Sequence, residues 1–107
     1  MKESNLKFLQ EEIKKEPQDP FNYYLLALEY KKENRIEDAN SEYRKILIQF
    51  PEYLPTYLTY LDFAITFKIN QSQEELEYIG QKGIDLAKDL QNEKARRELQ
   101  AFLDIHF

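Results

Sequence analysis

Apolar residues recur at three- and four-residue steps along almost the whole chain, the period of helices with one face turned inward. Leu6, Leu9 and Ile13 mark a first stripe from Ser4 to Lys15, with Ser4 placed to cap it and Pro17 and Pro20 to stop it. Tyr23, Leu26, Ala27 and Tyr30 predict a second helix over 21–32 that breaks at Glu33-Asn34-Arg35. Ile36, Ala39, Tyr43, Ile46, Leu47 and Phe50 predict a third over 36–50, ended by Pro51. Pro55 suits the first turn of a fourth helix, where its missing N–H is not needed. Tyr57, Leu58, Tyr60, Leu61, Ala64, Ile65 and Phe67 make that helix apolar on more than one face, so it should be the most buried. Ser72-Gln73-Glu74-Glu75 has capping-box form, with Ser72 bonding the N3 amide and Glu75 reaching back. Leu76, Ile79, Gly80, Gly83, Ile84 and Ala87 predict a fifth helix behind it. After Gln91-Asn92, a sixth shows Ala95, Leu99, Phe102 and Leu103 and a charged outer face. The β-branched alternation that strands need is absent. The pattern predicts an all-α chain of about six helices joined by short turns.

A longer period lies over the short one. Pro17 and Pro51 stand 34 residues apart. Between them the chain reads Tyr23-x-x-Leu26-Ala27-x-x-Tyr30, then Ala39-x-x-x-Tyr43, then Pro51. This resembles the tetratricopeptide repeat signature, Trp-x-x-Leu-Gly-x-x-Tyr, Ala-x-x-x-Phe, Pro, with Tyr23 for the Trp, Ala27 for the Gly and Tyr43 for the Phe. The resemblance implies a right-handed α-solenoid of antiparallel helix pairs. The chemistry suits it, because small residues such as Ala27 and Ala39 are needed where two helices cross. Tyr23, Leu26, Tyr30 and Tyr43 would fill the groove around that crossing. One such pair cannot bury its own apolar stripe, so neighbours must stack on it.

The resemblance divides the chain into an N-terminal half-repeat helix (1–19), a full repeat (20–53), a degenerate second repeat (54–90) and a C-terminal capping helix (91–107). In the second repeat either Tyr60 or Leu61 stands where a small residue belongs, and the turn before the fifth helix looks about three residues too long. Gly80 and Gly83, the chain's two glycines, share one face of the fifth helix, where each costs about 1 kcal/mol relative to Ala. Close approach by Tyr60 or Phe63 is the expected reason for them.

Composition narrows the work such a fold could do. Fifteen Lys and Arg against twenty Asp and Glu give a formal net charge of -5, which argues against nucleic acid as a partner. No apolar run reaches the roughly 18 to 20 residues of a bilayer crossing. The opening residues form no apolar leader, and the absence of cysteine fits a reducing cytoplasm, the expected location. Catalysis lacks its usual groups: no thiol, one histidine next to the last residue, and adjacent carboxylates that do not face each other on a helix. Asp104-x-His106 offers two metal donors but implies no third. No glycine-rich phosphate loop is present. Neither an enzyme nor a metal or cofactor site is expected.

Recognition of another protein remains. The resemblance implies that first helices of successive pairs line a concave groove, here with Phe21, Tyr24, Leu25 and Leu28 on the second helix and Tyr57, Leu58 and Asp62 on the fourth. Some members of the family grip a C-terminal carboxylate with Lys and Asn at such positions. Tyr24 and Leu28 stand there instead, so that clamp is missing. What remains is apolar and aromatic, suited to a helix or extended peptide of a partner protein. The expected function is a non-catalytic protein-interaction scaffold. The alternative is a self-associating homodimer, and core packing by the terminal helices would leave no groove at all. Lys94, Arg96 and Arg97 beside Glu93 and Glu98 read as solvent-facing ion pairs, or as a small anion site.

Overall fold

The computed structural model describes residues 2–70 and 72–107, with side chains from Asn5 onward. Among these residues are six α-helices and no strand: α1 (Lys2–Lys15), α2 (Pro20–Lys32), α3 (Ile36–Gln49), α4 (Pro55–Phe67), α5 (Gln73–Asp89) and α6 (Glu93–His106). The boundaries differ from the sequence expectation where local chemistry decides. Helix α1 begins upstream of Ser4, which therefore lies inside it rather than at its cap. Pro20 opens α2 instead of only closing α1. Asp19 caps that helix, its carboxylate accepting the Phe21 N–H at 3.0 Å, and a proline in the first turn forfeits no helical hydrogen bond. Phe50 lies just beyond α3, its N–H donating to the Ile46 carbonyl at 2.7 Å.

Three turns reverse the chain without glycine. Asn34, Lys68 and Gln91 adopt left-handed φ of 62°, 53° and 56°. In each case the next N–H donates to a carbonyl five residues back: Arg35 to Tyr30, Ile69 to Ala64 and Asn92 to Ala87. This is the closing bond of a Schellman-type cap, a position that normally favours glycine. Both glycines have been spent elsewhere.

The chain divides into two compact units, Met1–Tyr53 and Leu54–Phe107. In the first, α2 packs on both α1 and α3, most extensively on α3. Ala27 and Ala39 are fully buried, as are Tyr43 and Ile46. Tyr23, Ile46 and Phe50 form a core cluster edged by Ile13, Tyr24 and Tyr53. The Tyr23 ring lies 5.5 Å from that of Phe50, while its hydroxyl donates to the Pro17 carbonyl at 3.0 Å, so the ring's polar end is satisfied. Fully burying each large apolar side chain is worth roughly 1.5–3 kcal/mol, so this cluster contributes substantially to holding α2 and α3 together.

In the second unit α5 packs most extensively on α6, then on α4, and α4 also meets α6. The α4 core is Thr56, Tyr57, Tyr60, Leu61, Phe63 and Ala64, matched in number by the buried residues of α5. Phe67, expected in that core, is exposed and rests on the Phe63 ring at 5.2 Å, because α4 ends there. The glycine face of α5 does permit close approach, but its neighbours are not Tyr60 or Phe63. A Cβ at Gly83 would stand 2.9 Å from Tyr57 Cβ and 3.0 Å from Leu99 Cδ1; one at Gly80 would stand 2.6 Å from Leu103 Cδ2. The sixth helix, expected only to cap, supplies two of the three residues met there, Leu99 and Leu103.

Five residues, 68–72, join α4 to α5, against three, 33–35, between α2 and α3. Asn70 organises the longer turn. Its amide donates to Glu75 Oε1 at 2.7 Å and to the Tyr60 hydroxyl at 3.2 Å, and its Oδ1 accepts the Ser72 N–H at 3.0 Å. Ser72 accepts the Glu75 N–H at 3.2 Å, the half of the capping box its side chain supplies. Asn70 takes up the Ser72 N–H to which the box would return Glu75.

Candidate partner-binding grooves

The seven residues expected to line one groove fall in two units and into five environments. Leu25 and Leu28, half-buried on α2, face α1 across a pocket of about 330 Å³ also lined by Asn5, Phe8 and Leu9. Phe8 is 62% exposed, so this pocket opens to solvent over an aromatic ring. Asn5 spans its rim, donating to Glu29 at 3.4 Å. Phe21 is exposed at the start of α2. Tyr24 is half-buried because Tyr53 packs edge-on against it at 5.7 Å. Burial raises the Tyr53 phenol above its ordinary pKa, with Tyr24 and Asp19 adding to the effect.

On α4 the expectation splits. Tyr57 is 3% exposed and belongs to the core against Gly83; it offers a partner almost no surface. Leu58 and Asp62 line a second groove, about 520 Å³, closed on its far side by Glu98, Ala101, Phe102 and Ile105 of α6. Ile105 is 76% exposed and adds apolar surface to the rim of this groove. Sequence reasoning placed Phe102 in the inward stripe of α6 and passed over Ala101 and Ile105. The signal was there: Glu98, Ala101, Phe102 and Ile105 follow the three- and four-residue steps of one helix face, one stripe round from Leu99 and Leu103.

The basic cluster of α6 is largely local. Arg96 pairs with Glu93 one turn earlier, and this hydrogen bond, more than the charges of Arg96, Arg97 and Lys88, holds the Glu93 carboxyl below its ordinary pKa. His106 lies 4.2 Å from the Phe102 ring, in contact with an aromatic side chain. Among the described residues no three His, Cys, Asp or Glu side chains gather in a way that could hold a metal ion. No described helix is long and apolar enough to cross a membrane.

No family model, curated protein or solved structure matches the chain.

Proposed function

We propose that the chain is a small tetratricopeptide-like interaction module that receives a peptide or helix of another protein in an apolar groove without catalysing a reaction. The observation that carries this reading is the α4–α6 groove. Leu58, Phe102 and Ile105 keep apolar surface at the mouth of a pocket although the same unit buries Tyr60, Leu61 and Phe63 almost completely. The α1–α2 pocket under Phe8 repeats the arrangement in the first unit.

The repeat reading draws its support from residues 17–51. Tyr23, Leu26, Ala27, Tyr30, Ala39 and Tyr43, the signature positions, are all buried. Tyr23 near the start of α2 meets Phe50 beyond the end of α3, while Arg35, just before α3, lies 4.7 Å over the ring of Tyr30 near the end of α2. Those two contacts suit an antiparallel pair. Stacking of such pairs into a right-handed solenoid, in a cytoplasmic setting, completes the proposal.

Light scattering after size-exclusion over a wide concentration range tests it. A monomer at every concentration leaves the grooves for a foreign partner. An obligate dimer that Ile105→Ala or Phe8→Ala dissociates makes the chain a self-associating structural protein instead.

A further inference from the structure

The geometry points to a cationic amphipathic helix as the occupant of the α4–α6 groove, an inference that rests on the interaction-module reading above. The floor is apolar, made by Leu58, Ala101, Phe102 and Ile105, and the flanking charges are both negative, Asp62 on α4 and Glu98 on α6. No Lys or Arg lines the groove. Several carboxylates elsewhere pair with a basic residue three positions away: Glu11 with Lys14, Glu12 with Lys15, Asp38 with Arg35, Glu93 with Arg96. The side chains of Asp62 and Glu98 are exposed and make no ion pair or hydrogen bond among the described residues. Both stand on helices beside an apolar trough, and the basic residue nearest in register is Lys94, one turn before Glu98 on α6 and outside the groove lining.

The spacing favours a helix over an extended strand. Leu58 and Asp62 lie one turn apart on one wall, and Glu98, Ala101, Phe102 and Ile105 rise through two turns on the other. Both walls therefore repeat at about 5.4 Å, the step at which a ligand helix presents its own side chains. A ligand with Leu-sized residues on one face and Lys or Arg beside them would fill the trough and reach both carboxylates. The chain's net charge of -5 would speed its approach.

Fluorescence anisotropy with two labelled synthetic peptides tests the inference. Both carry leucines at helical spacing; one has Lys at its polar positions and the other Glu. The Lys peptide should bind, and the Glu peptide at least about tenfold more weakly. Asp62→Asn/Glu98→Gln should weaken the Lys peptide about fivefold, the size expected of two exposed ion pairs. Glu37→Gln/Glu52→Gln, with the same change of net charge on surface residues elsewhere, should leave it unchanged. Amide shifts on adding the Lys peptide should concentrate at Leu58, Ala101 and Ile105. An equal loss in the two double variants would reduce the preference to bulk charge and overturn the inference. Equal affinity for both peptides, still abolished by Ile105→Ala, would refute the cationic preference while leaving the groove as a docking site. If neither peptide binds, or the Lys peptide binds without shifting these amides, the inference falls, and with it the reading of this groove as a helix receptor.

Discussion

Gly83 and Tyr57 approach so closely that a Cβ added to the glycine would stand 2.9 Å from the Cβ of the tyrosine. Real side chains do not tolerate that separation, and here neither side can yield. Tyr57 is held in the core at 3% exposure, and Leu99, the other neighbour, at 1%. The glycine is thus a requirement of packing, strong enough to outweigh its cost of about 1 kcal/mol in a helix interior.

The two glycines should accordingly respond differently to alanine. Gly83→Ala forces Tyr57 and Leu99 apart and should destabilise the protein by about 1–3 kcal/mol. Gly80→Ala meets only the side chain of Leu103, which is half-buried and can turn aside, while the new methyl improves helix propensity. Urea midpoints should place Gly80→Ala at least about 1 kcal/mol above Gly83→Ala. The reverse order would mean that α5 does not lie on Tyr57 as described.

Ala39 makes the corresponding test in the first unit. It is fully buried on the helix pair α2–α3, so Ala39→Leu should cost more than about 1 kcal/mol by overpacking. Glu37→Gln, exposed two residues earlier, should be nearly silent. Equal denaturation midpoints for the two variants would refute the placement of Ala39 between helices.

Gln91 occupies a left-handed conformation at φ 56° in the α5–α6 turn. Glycine enters that region without the Cβ penalty, so Gln91→Gly should stabilise the protein by up to about 1 kcal/mol, in spite of its greater freedom when unfolded. Asn34→Gly should gain less, since asparagine already tolerates φ near 62°. A lower melting temperature for Gln91→Gly than for the parent would count against this cap.

Glu42 predicts a pH dependence. Burial raises its carboxyl above the ordinary 4.5, and Asp38 adds to that, against the pull of Lys45, which lies 3.5 Å away. The folded protein therefore binds this proton more tightly than the unfolded chain. Its contribution is present below the ordinary value and is lost as pH rises through the raised one. Glu42→Gln removes the buried charge, so its stability relative to the parent should be greater at pH 7 than at pH 4. A stability difference between parent and variant that does not change with pH would argue against the assignment.

The helical period carried much of this architecture. Leu26, Ala27, Tyr30 and Tyr43 are buried where their spacing puts them, and Ser72 caps α5 as its sequence suggests. The seven groove candidates were less legible. Tyr57 and Leu58 are adjacent apolar residues, and periodicity alone does not say which of them meets the neighbouring helix. Gly83 decides it, by drawing Tyr57 inward and leaving Leu58 half-exposed beside Ile105. Asn70 was less legible for another reason: its bond to the Ser72 N–H is local, but those to Glu75 and to Tyr60, ten positions away, depend on how α4 and α5 meet.

What the order of residues imposed is therefore local: where each helix starts and stops, and which stripe is apolar, since caps, prolines and a 3.6-residue repeat act over a few neighbours. Which helices came closest, and which apolar residues stayed at the surface, was decided in three dimensions. The tight pair of the second unit is α5 with α6, and the open groove lies between α4 and α6, because a glycine face lets backbones approach only where another helix is present to use the space.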